Sequence, residues 1–321
     1  MIRVVLYPPI DPYEAGLLDV GEDNRIYWET CGNPAGKPAL VVHGGPGSGC
    51  SPAFRSFFDP RAYRVVLFDQ RNCGRSRPHA SDASIDLGAN RTQTLIEDME
   101  LLRQRLDIDR WLIFGGSWGC TLSLAYAERH PDRVTAMVLF GVTTGRRAEV
   151  DWLFRGGLER FFPSQWDRLV AGASSAGERG DVPTAYTRML AGQDPEVRRR
   201  AAENWCMWES ATPHWPPADG LDERFRDAKY ALDFARIVTH YVRHDLFLED
   251  GILLRNAGAI ATTPGFLVNG RFDFQAPIGN AWELKRVWPK AELVVVDDTG
   301  HGTGDAVTGE LVRATDLLAL D

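Results

Sequence analysis

Ser117 stands in Gly115-Gly116-Ser117-Trp118-Gly119, between the apolar run Trp111–Phe114 and a helical pattern. A serine on a sharp strand-to-helix turn keeps its hydroxyl exposed, and small residues two positions to either side let the backbones approach closely. The helix N-terminus favours negative charge beside it. This pattern is that of a nucleophile that attacks a carbonyl carbon. Such an attack needs a base, an acid that orients the base, and N–H donors for the oxyanion. The loop His43-Gly44-Gly45-Pro46-Gly47 follows the apolar run Ala39–Val42 and supplies the first donor, Gly45, with Gly44 as its alternative. The N–H of Trp118 is the second. Asp273 follows the run Phe266–Asn269, and His301 lies in Gly300-His301-Gly302 after Leu293–Val296. Where the chain order is serine, acid, histidine, these residues complete a triad of Ser117, Asp273 and His301. Asp297 and Asp298 are nearer to His301 in sequence and read as strand-end or turn residues. His43 precedes the serine and reads as structural. His79, His130, His214 and His244 read as structural or cap residues, and His240 is a candidate for the pocket wall.

The elements that must hold these residues are visible as an alternation. Short β-rich runs occur at Ile26–Cys31, Ala39–His43, Arg64–Asp69, Trp111–Gly115 and Val134–Gly141. Helical patterns occur at Thr92–Leu106 and Ser117–His130, the latter ended by Pro131. Alternation of this kind predicts an α/β fold with a mostly parallel, doubly wound sheet. From about residue 143 to 258 no strand pattern occurs, and loop breaks fall at Ala171–Gly180 and Thr212–Gly220. Strand patterns resume at Thr263–Asn269 and Ala291–Asp297. The expected organisation is a discontinuous α/β-hydrolase domain, residues 1–142 and 259–321, interrupted by a helical cap domain at 143–258. A cap over the sheet excludes water and selects substrate.

The net charge of −8 argues against nucleic acid or an anionic membrane as a partner. Arg198-Arg199-Arg200 lies between Glu196 and Glu203 and reads as a solvated helix face. The five cysteines show no metal-ligand or disulfide spacing, which suits a reducing cytoplasm. Pro8 and Pro9 interrupt the apolar start of the chain, so no signal peptide is expected. No apolar run approaches the roughly 20 residues of a membrane span. Phosphate-binding, dinucleotide-binding and His-Glu-x-x-His patterns are missing, so neither cofactor nor metal is expected. An aspartate at position 117 would have indicated a dehalogenase or epoxide hydrolase; the serine excludes that chemistry.

With these residues in view, the sequence resembles the proline iminopeptidases (prolyl aminopeptidases), serine peptidases of the α/β-hydrolase fold. The matching stretches are His43–Gly47, Phe68-Asp69-Gln70-Arg71-Asn72-Cys73-Gly74-Arg75-Ser76-Arg77-Pro78, Gly115–Gly119, Asn204-Trp205-Cys206-Met207-Trp208-Glu209, Gly270–Asp273 and Gly300-His301. The resemblance implies release of an N-terminal residue, preferably proline, from a small peptide or amino-acid amide, without metal or cofactor. It implies that Glu209 pairs with the free α-ammonium and so fixes the cut at one residue. In a dry pocket such a bond is worth about 1.5–3 kcal/mol. It also places Gly44, Trp208, His240 and Tyr241 at the substrate. Three positions depart from the family pattern. In Arg236-Ile237-Val238-Thr239-His240-Tyr241-Val242, Val238 replaces a glutamate and Val242 a phenylalanine, and Thr143 replaces a further aromatic. One carboxylate, and fewer rings around a pyrrolidine, are left. The same triad would also serve an esterase, amidase or lactonase acting on a small metabolite. A ligand-binding protein on a hydrolase scaffold is the third reading, and the complete triad argues against it.

Overall fold

Runs of Val, Ile, Leu and aromatic residues form one mixed sheet. A computed structural model describes residues 6–174, 181–214, 216–217, 220–302 and 304–320. Within them, the sheet has eight strands: β1 (Glu14–Asp19), β2 (Arg25–Gly32), β3 (Lys37–Val42), β4 (Tyr63–Phe68), β5 (Trp111–Gly116), β6 (Val134–Phe140), β7 (Gly265–Gly270) and β8 (Ala291–Val296). Their order is β1-β2-β4-β3-β5-β6-β7-β8. The pairs β1/β2 and β2/β4 are antiparallel, and every other pair is parallel. The period of two along each strand sorts side chains to the two faces. On β5, Trp111 and Ile113 join one core with Leu40 and Val42, while Leu112 and Phe114 join the other with Ala39 and Val41. Helices α1 (Thr92–Arg105) and α2 (Trp118–Arg129) give Leu95, Met99, Leu102 and Leu122 to the first core. The C-terminal helix Asp305–Ala319 gives Leu311 and Leu318 to the second.

β1 was not expected from the sequence. It is an edge strand whose residues alternate between exposed and half-buried, so it carries no apolar run. The other strands fall within two residues of the expected positions. The run at Thr263 pairs in the sheet only from Gly265.

Between β6 and β7 the chain forms α3 (Arg147–Phe154), α4 (Pro163–Ser174), α5 (Val182–Ala191), α6 (Pro195–Ala211), α7 (Ala228–Arg243) and α8 (Ile252–Asn256). Of the loop break expected at 171–180, residues 171–174 instead end α4, and 175–180 lie outside the described residues, as do 1–5, 215, 218 and 219. Asp194 caps α6 with Pro195 at its first turn, and Asp227 caps α7 through the N–H groups of Lys229 and Tyr230. α7 is tied by polar contacts to the loop between β4 and α1. The Arg236 guanidinium donates to the carbonyls of Ala80, Asp82 and Ile85, and Asp233 accepts from Ser81 N–H and contacts His79. The basic run on α6 is divided. Arg199 and Arg200 are exposed and pair with Glu196, whereas Arg198 is buried and donates to the carbonyls of Leu190 and Ser81. The expectation of a fully solvated face is corrected for Arg198, whose long side chain reaches unpaired carbonyls. No helix among the described residues is long and apolar enough to cross a membrane.

On α2, the Glu128 Oε1 atom is buried without a hydrogen-bond partner among the described residues. Burial pushes its carboxyl from 4.5 up to about 8. With the folded value above the unfolded one, folding disfavours the ionised form. The destabilisation is absent below the ordinary value, grows as pH rises, and is complete above about pH 8. Glu128→Met should therefore raise the melting temperature by roughly 2–4 °C at pH 8 and change it little at pH 4. Thermal scans at both values check this.

Candidate active site

β5 ends at Gly116 and α2 starts at Trp118, so Ser117 makes the whole turn, with φ 55° and ψ −125°. A non-glycine residue in this region is strained and persists only where its surroundings fix it. Here they do. A Cβ on Gly119 would sit 2.2 Å from the Val42 carbonyl oxygen, and one on Gly115 would sit 2.7 Å from that of Gly119. Helix α2 thus presses against the end of β3. The Ser117 N–H donates to the Phe140 carbonyl at 3.0 Å, and Thr143 Oγ1 donates to the Ser117 carbonyl at 2.8 Å.

The turns after β6, β7 and β8 meet beside this serine. Asp273, buried, lies just beyond β7, and His301 Nδ1 is 2.8 Å from its Oδ2 and 3.0 Å from its Oδ1. Asp273 Oδ1 also accepts the Ala276 N–H at 2.7 Å, which fixes the carboxylate. Gly141, after β6, has φ +54°, and a Cβ there would lie 2.9 Å from His301 Cε1 and 3.6 Å from Asp273 Oδ2. The His301 N–H donates to the Pro213 carbonyl at 3.1 Å, on the turn that follows α6. Burial by itself would lower the His301 pKa. The Asp273 charge and hydrogen bond, with the Glu209 charge, raise it above its ordinary value. With Nδ1–H donating to Asp273, Nε2 is left to accept a proton. Ser117 and His301 line one cavity. The rival acid Asp297 is exposed and pairs with Arg271.

The glycine-rich loop lies against the nucleophile from the other side. A Cβ on Gly44 would be 3.0 Å from the Gly116 oxygen and 3.3 Å from Ser117 Cβ. Gly45 has φ +113° and lines the cavity. Its N–H has no acceptor among the described residues, and that of Trp118, at the first position of α2, has no intrahelical partner. His43 is buried. Its Nε2 accepts the Gln70 N–H at 3.0 Å, its Nδ1 donates to the Gly44 carbonyl at 2.9 Å, and burial lowers its pKa. Gln70 in turn accepts from the Trp118 indole at 2.9 Å. His43 thus braces the loop, with both ring nitrogens engaged by backbone groups.

The cavity measures about 800 Å³. Glu209 of α6 lines it and is only 8% exposed. Burial pushes its carboxyl up to about 7, opposed chiefly by the charge of Arg224. Three expected substrate contacts do not line the cavity. Trp208 is fully buried and packs edge-on to Phe162 and Trp166. His240 Nε2 meets the Asn90 carbonyl at 3.0 Å, and burial lowers its pKa to about 4. Tyr241 donates to Asn90 Oδ1 at 2.7 Å and lies edge-on to Trp118. His240 and Tyr241 thus join α7 to the loop before α1 and to α2. The walls are instead Val150, Leu153 and Phe154 of α3 with Val238 and Val242 of α7; Thr143 lines it too. Arg224 and Gln275 also line the cavity and went unrecognised in the sequence, because neither stands in a motif or a periodic pattern. Among the described residues no cluster of His, Cys, Asp or Glu could hold a metal ion.

A strained serine, an imidazole held by a buried carboxylate, and free N–H groups in one cavity are the parts of an acyl-transfer site. A sequence profile of the α/β hydrolase fold matches residues 37–304. A probable proline iminopeptidase of Streptomyces coelicolor is 48% identical over 98% of this chain and 98% of its own. The chain belongs to the proline iminopeptidase family of α/β hydrolases. Within this family, a proline iminopeptidase of Xylella fastidiosa is 45% identical over 97% of this chain and 98% of its own, and one of Arabidopsis thaliana 42% identical over 98% and 82%. Among solved structures, a proline iminopeptidase of Mycobacterium smegmatis superposes with a TM-score of 0.63 at 18% identity, covering 95% of this chain and all of that one. An esterase of a Rhodococcus species superposes at 0.61, also at 18% identity, covering 96% and 98%. These two likenesses share the fold alone.

A fluorophosphonate should label the protein once, at Ser117. Ser117→Ala should abolish the label, and Asp273→Asn should slow labelling by at least about 10³-fold. Intact-mass spectrometry reads both, and a label that persists in Ser117→Ala would assign the nucleophile elsewhere.

Proposed function

We propose that this protein is a serine aminopeptidase that releases an N-terminal residue, preferentially proline, from small peptides through an acyl-enzyme. The observation that carries this reading is Glu209, a buried carboxylate in the same cavity as Ser117 and His301. Among the described residues no cation forms an ion pair with Glu209, and burial outweighs the Arg224 charge, so the carboxylate is held partly protonated. A substrate α-ammonium supplies the missing charge. That pair sets the first carbonyl of the chain at Ser117, so the cut falls after one residue. The names of the relatives, and their similarity over nearly the whole chain, support the same activity.

The steps follow from the geometry. Ser117 Oγ attacks the first carbonyl carbon while His301 Nε2 takes its proton, and Asp273 stabilises the imidazolium. The N–H groups of Gly45 and Trp118 receive the oxyanion. The C–N bond breaks, His301 returns the proton to the leaving nitrogen, and water then hydrolyses the Ser117 ester by the same route. Residues 143–258 act as the cap that closes this chemistry from water, over a hydrolase domain of residues 1–142 and 259–321. Five cysteines, all unpaired and buried, support a cytoplasmic location. A second reading rests on the apolar wall of Val150, Leu153, Val238 and Val242, which suits an ester or amide whose acyl group lacks an amine.

Paired substrates separate the two readings. Proline arylamide should be cleaved, and blocking the proline nitrogen should abolish cleavage. Equal turnover of blocked amides or simple esters, with none of proline arylamide, would establish the second reading. Glu209→Gln should raise KM for amine-bearing substrates by about 10-fold or more with a smaller effect on kcat.

The pH dependence follows from the same groups. Both His301 and Glu209 must be unprotonated, and both have raised pKa values. As pH falls below the values of both groups, Glu209's being about 7, kcat/KM for proline arylamide should drop with a limiting logarithmic slope near 2. Glu209→Gln should reduce that slope to about 1. An unchanged slope would remove Glu209 from the productive complex.

A further inference from the structure

Two arginines line the cavity, and they differ in how they are engaged. The Arg75 guanidinium is fully used. Its Nε is 2.8 Å from Asp69, its Nη1 is 2.8 Å from Glu29, and its Nη2 donates to Asp69 and the Cys50 carbonyl. Arg224 meets one anion, Asp222, at 3.4 Å through Nε, and its terminal amino groups have no acceptor among the described residues. Yet it is held in place. Its guanidinium lies 4.4 Å from the Phe225 ring centroid and 5.7 Å from that of Phe234. Phe225 is buried and packs on Phe234 of α7. Asp222 caps the turn that carries Arg224, and the Asp222 N–H donates to Ser210 Oγ of α6 at 2.9 Å. Arg224 is therefore hung from both helices that wall the site, one of them carrying Glu209. Its positive charge acts on both Glu209 and His301.

A half-exposed guanidinium with unused terminal donors, in the cavity that Ser117, His301 and Glu209 also line, suits an anionic ligand. Resting on the aminopeptidase reading above, we propose that Arg224 receives the C-terminal carboxylate of the substrate, which makes di- and tripeptides with a free carboxylate the preferred substrates. An extended chain advances at most about 3.3–3.6 Å per residue. The carboxylate of a dipeptide therefore lies about 7 Å from its ammonium, and that of a tripeptide about 10 Å. A longer peptide presents a neutral amide to Arg224 and carries its carboxylate into solvent. The guanidinium fork matches a carboxylate in a bidentate manner, which a lysine does not.

The test compares kcat/KM for a prolyl dipeptide and tripeptide as free acids and as C-terminal amides, with proline arylamide as a third substrate. The wild-type acid-to-amide ratio should be about 10 for both lengths. Arg224→Met should bring the ratio to about 1, mainly through KM, and Arg224→Lys should leave an intermediate value. The ratio cancels any loss that both substrates share, including one transmitted through Glu209 or the fold. A wild-type ratio near 1, or a ratio that Arg224→Met and Arg224→Lys leave at the wild-type value, overturns the proposal. Failure of the wild-type enzyme to cleave proline arylamide overturns the aminopeptidase reading, and this inference with it. Cleavage of proline arylamide with an acid-to-amide ratio near 1 overturns the inference alone.

Discussion

The contact between Gly119 and the Val42 carbonyl is the constraint on which the rest of the site depends. It allows α2 to begin where β3 ends, with no side chain between them. That contact places the Trp118 N–H, the Ser117 hydroxyl and the glycine-rich loop within one small volume. It also leaves Ser117 as the only residue available to make the turn, and hence its strained backbone. The strain is stored by the packing of two rigid elements, not by the loop itself. Displacements of about half an ångström in such a constellation are enough to cost catalysis. The glycines here are therefore geometric requirements, and His43 extends the same bracing outward through Gln70 to the Trp118 ring.

Two acids act on His301, and their surroundings separate their roles. Asp273 accepts hydrogen bonds from the Ala276 N–H and from the imidazole itself. Its charge is satisfied within the protein, so it can orient the base throughout the cycle. Glu209 is buried, and burial outweighs the charges and side-chain donors around it. An acid in that state is poorly satisfied until a cation arrives. Breaking or omitting one member of a buried ion pair is costly, so the empty site is the strained one. In the proposed reading, binding of an ammonium relieves that cost and uses it to fix position. The same low dielectric strengthens both interactions.

Most of the sheet was legible in the sequence because strands buried on both faces read as continuous apolar runs. β1 was not, since an edge strand has no second face to bury. The order of Ser117, Asp273 and His301 along the chain was legible for the same reason: each follows such a run. Helical faces were harder. Trp208 and Glu209 are adjacent in sequence but about 100° apart around α6, so only one of them faces the cavity. On α7, Val238 and Val242 are four residues apart and share the cavity face, while His240 lies roughly 200° from Val238 and turns to Asn90. Similarity of a sequence stretch does not specify which residues of a helix meet the substrate; the helical period does. Arg224 stands on a turn of four residues, too short to show any period.

The three departures at Val238, Val242 and Thr143 all line the cavity, which changes what they mean for specificity. Where the resemblance implies a charge and a ring, α7 presents two valines, so that face is apolar, carries no anion and leaves more open space. With one carboxylate left, the ammonium is held at a single point, and the direction of the substrate must be set by something else. The apolar wall sets it in part, by excluding polar groups from the side of α3 and α7. The acyl carbon sets it further, because the oxyanion donors accept only one orientation of the carbonyl. In the proposal above, Arg224 in the same cavity supplies the third point that a rigid placement requires. A cavity that presents both Glu209 and Arg224 is matched by a zwitterion, whose two charges are fixed by its length. Loss of the second carboxylate is then consistent with recognition that uses both ends of a short peptide instead of gripping its first residue alone.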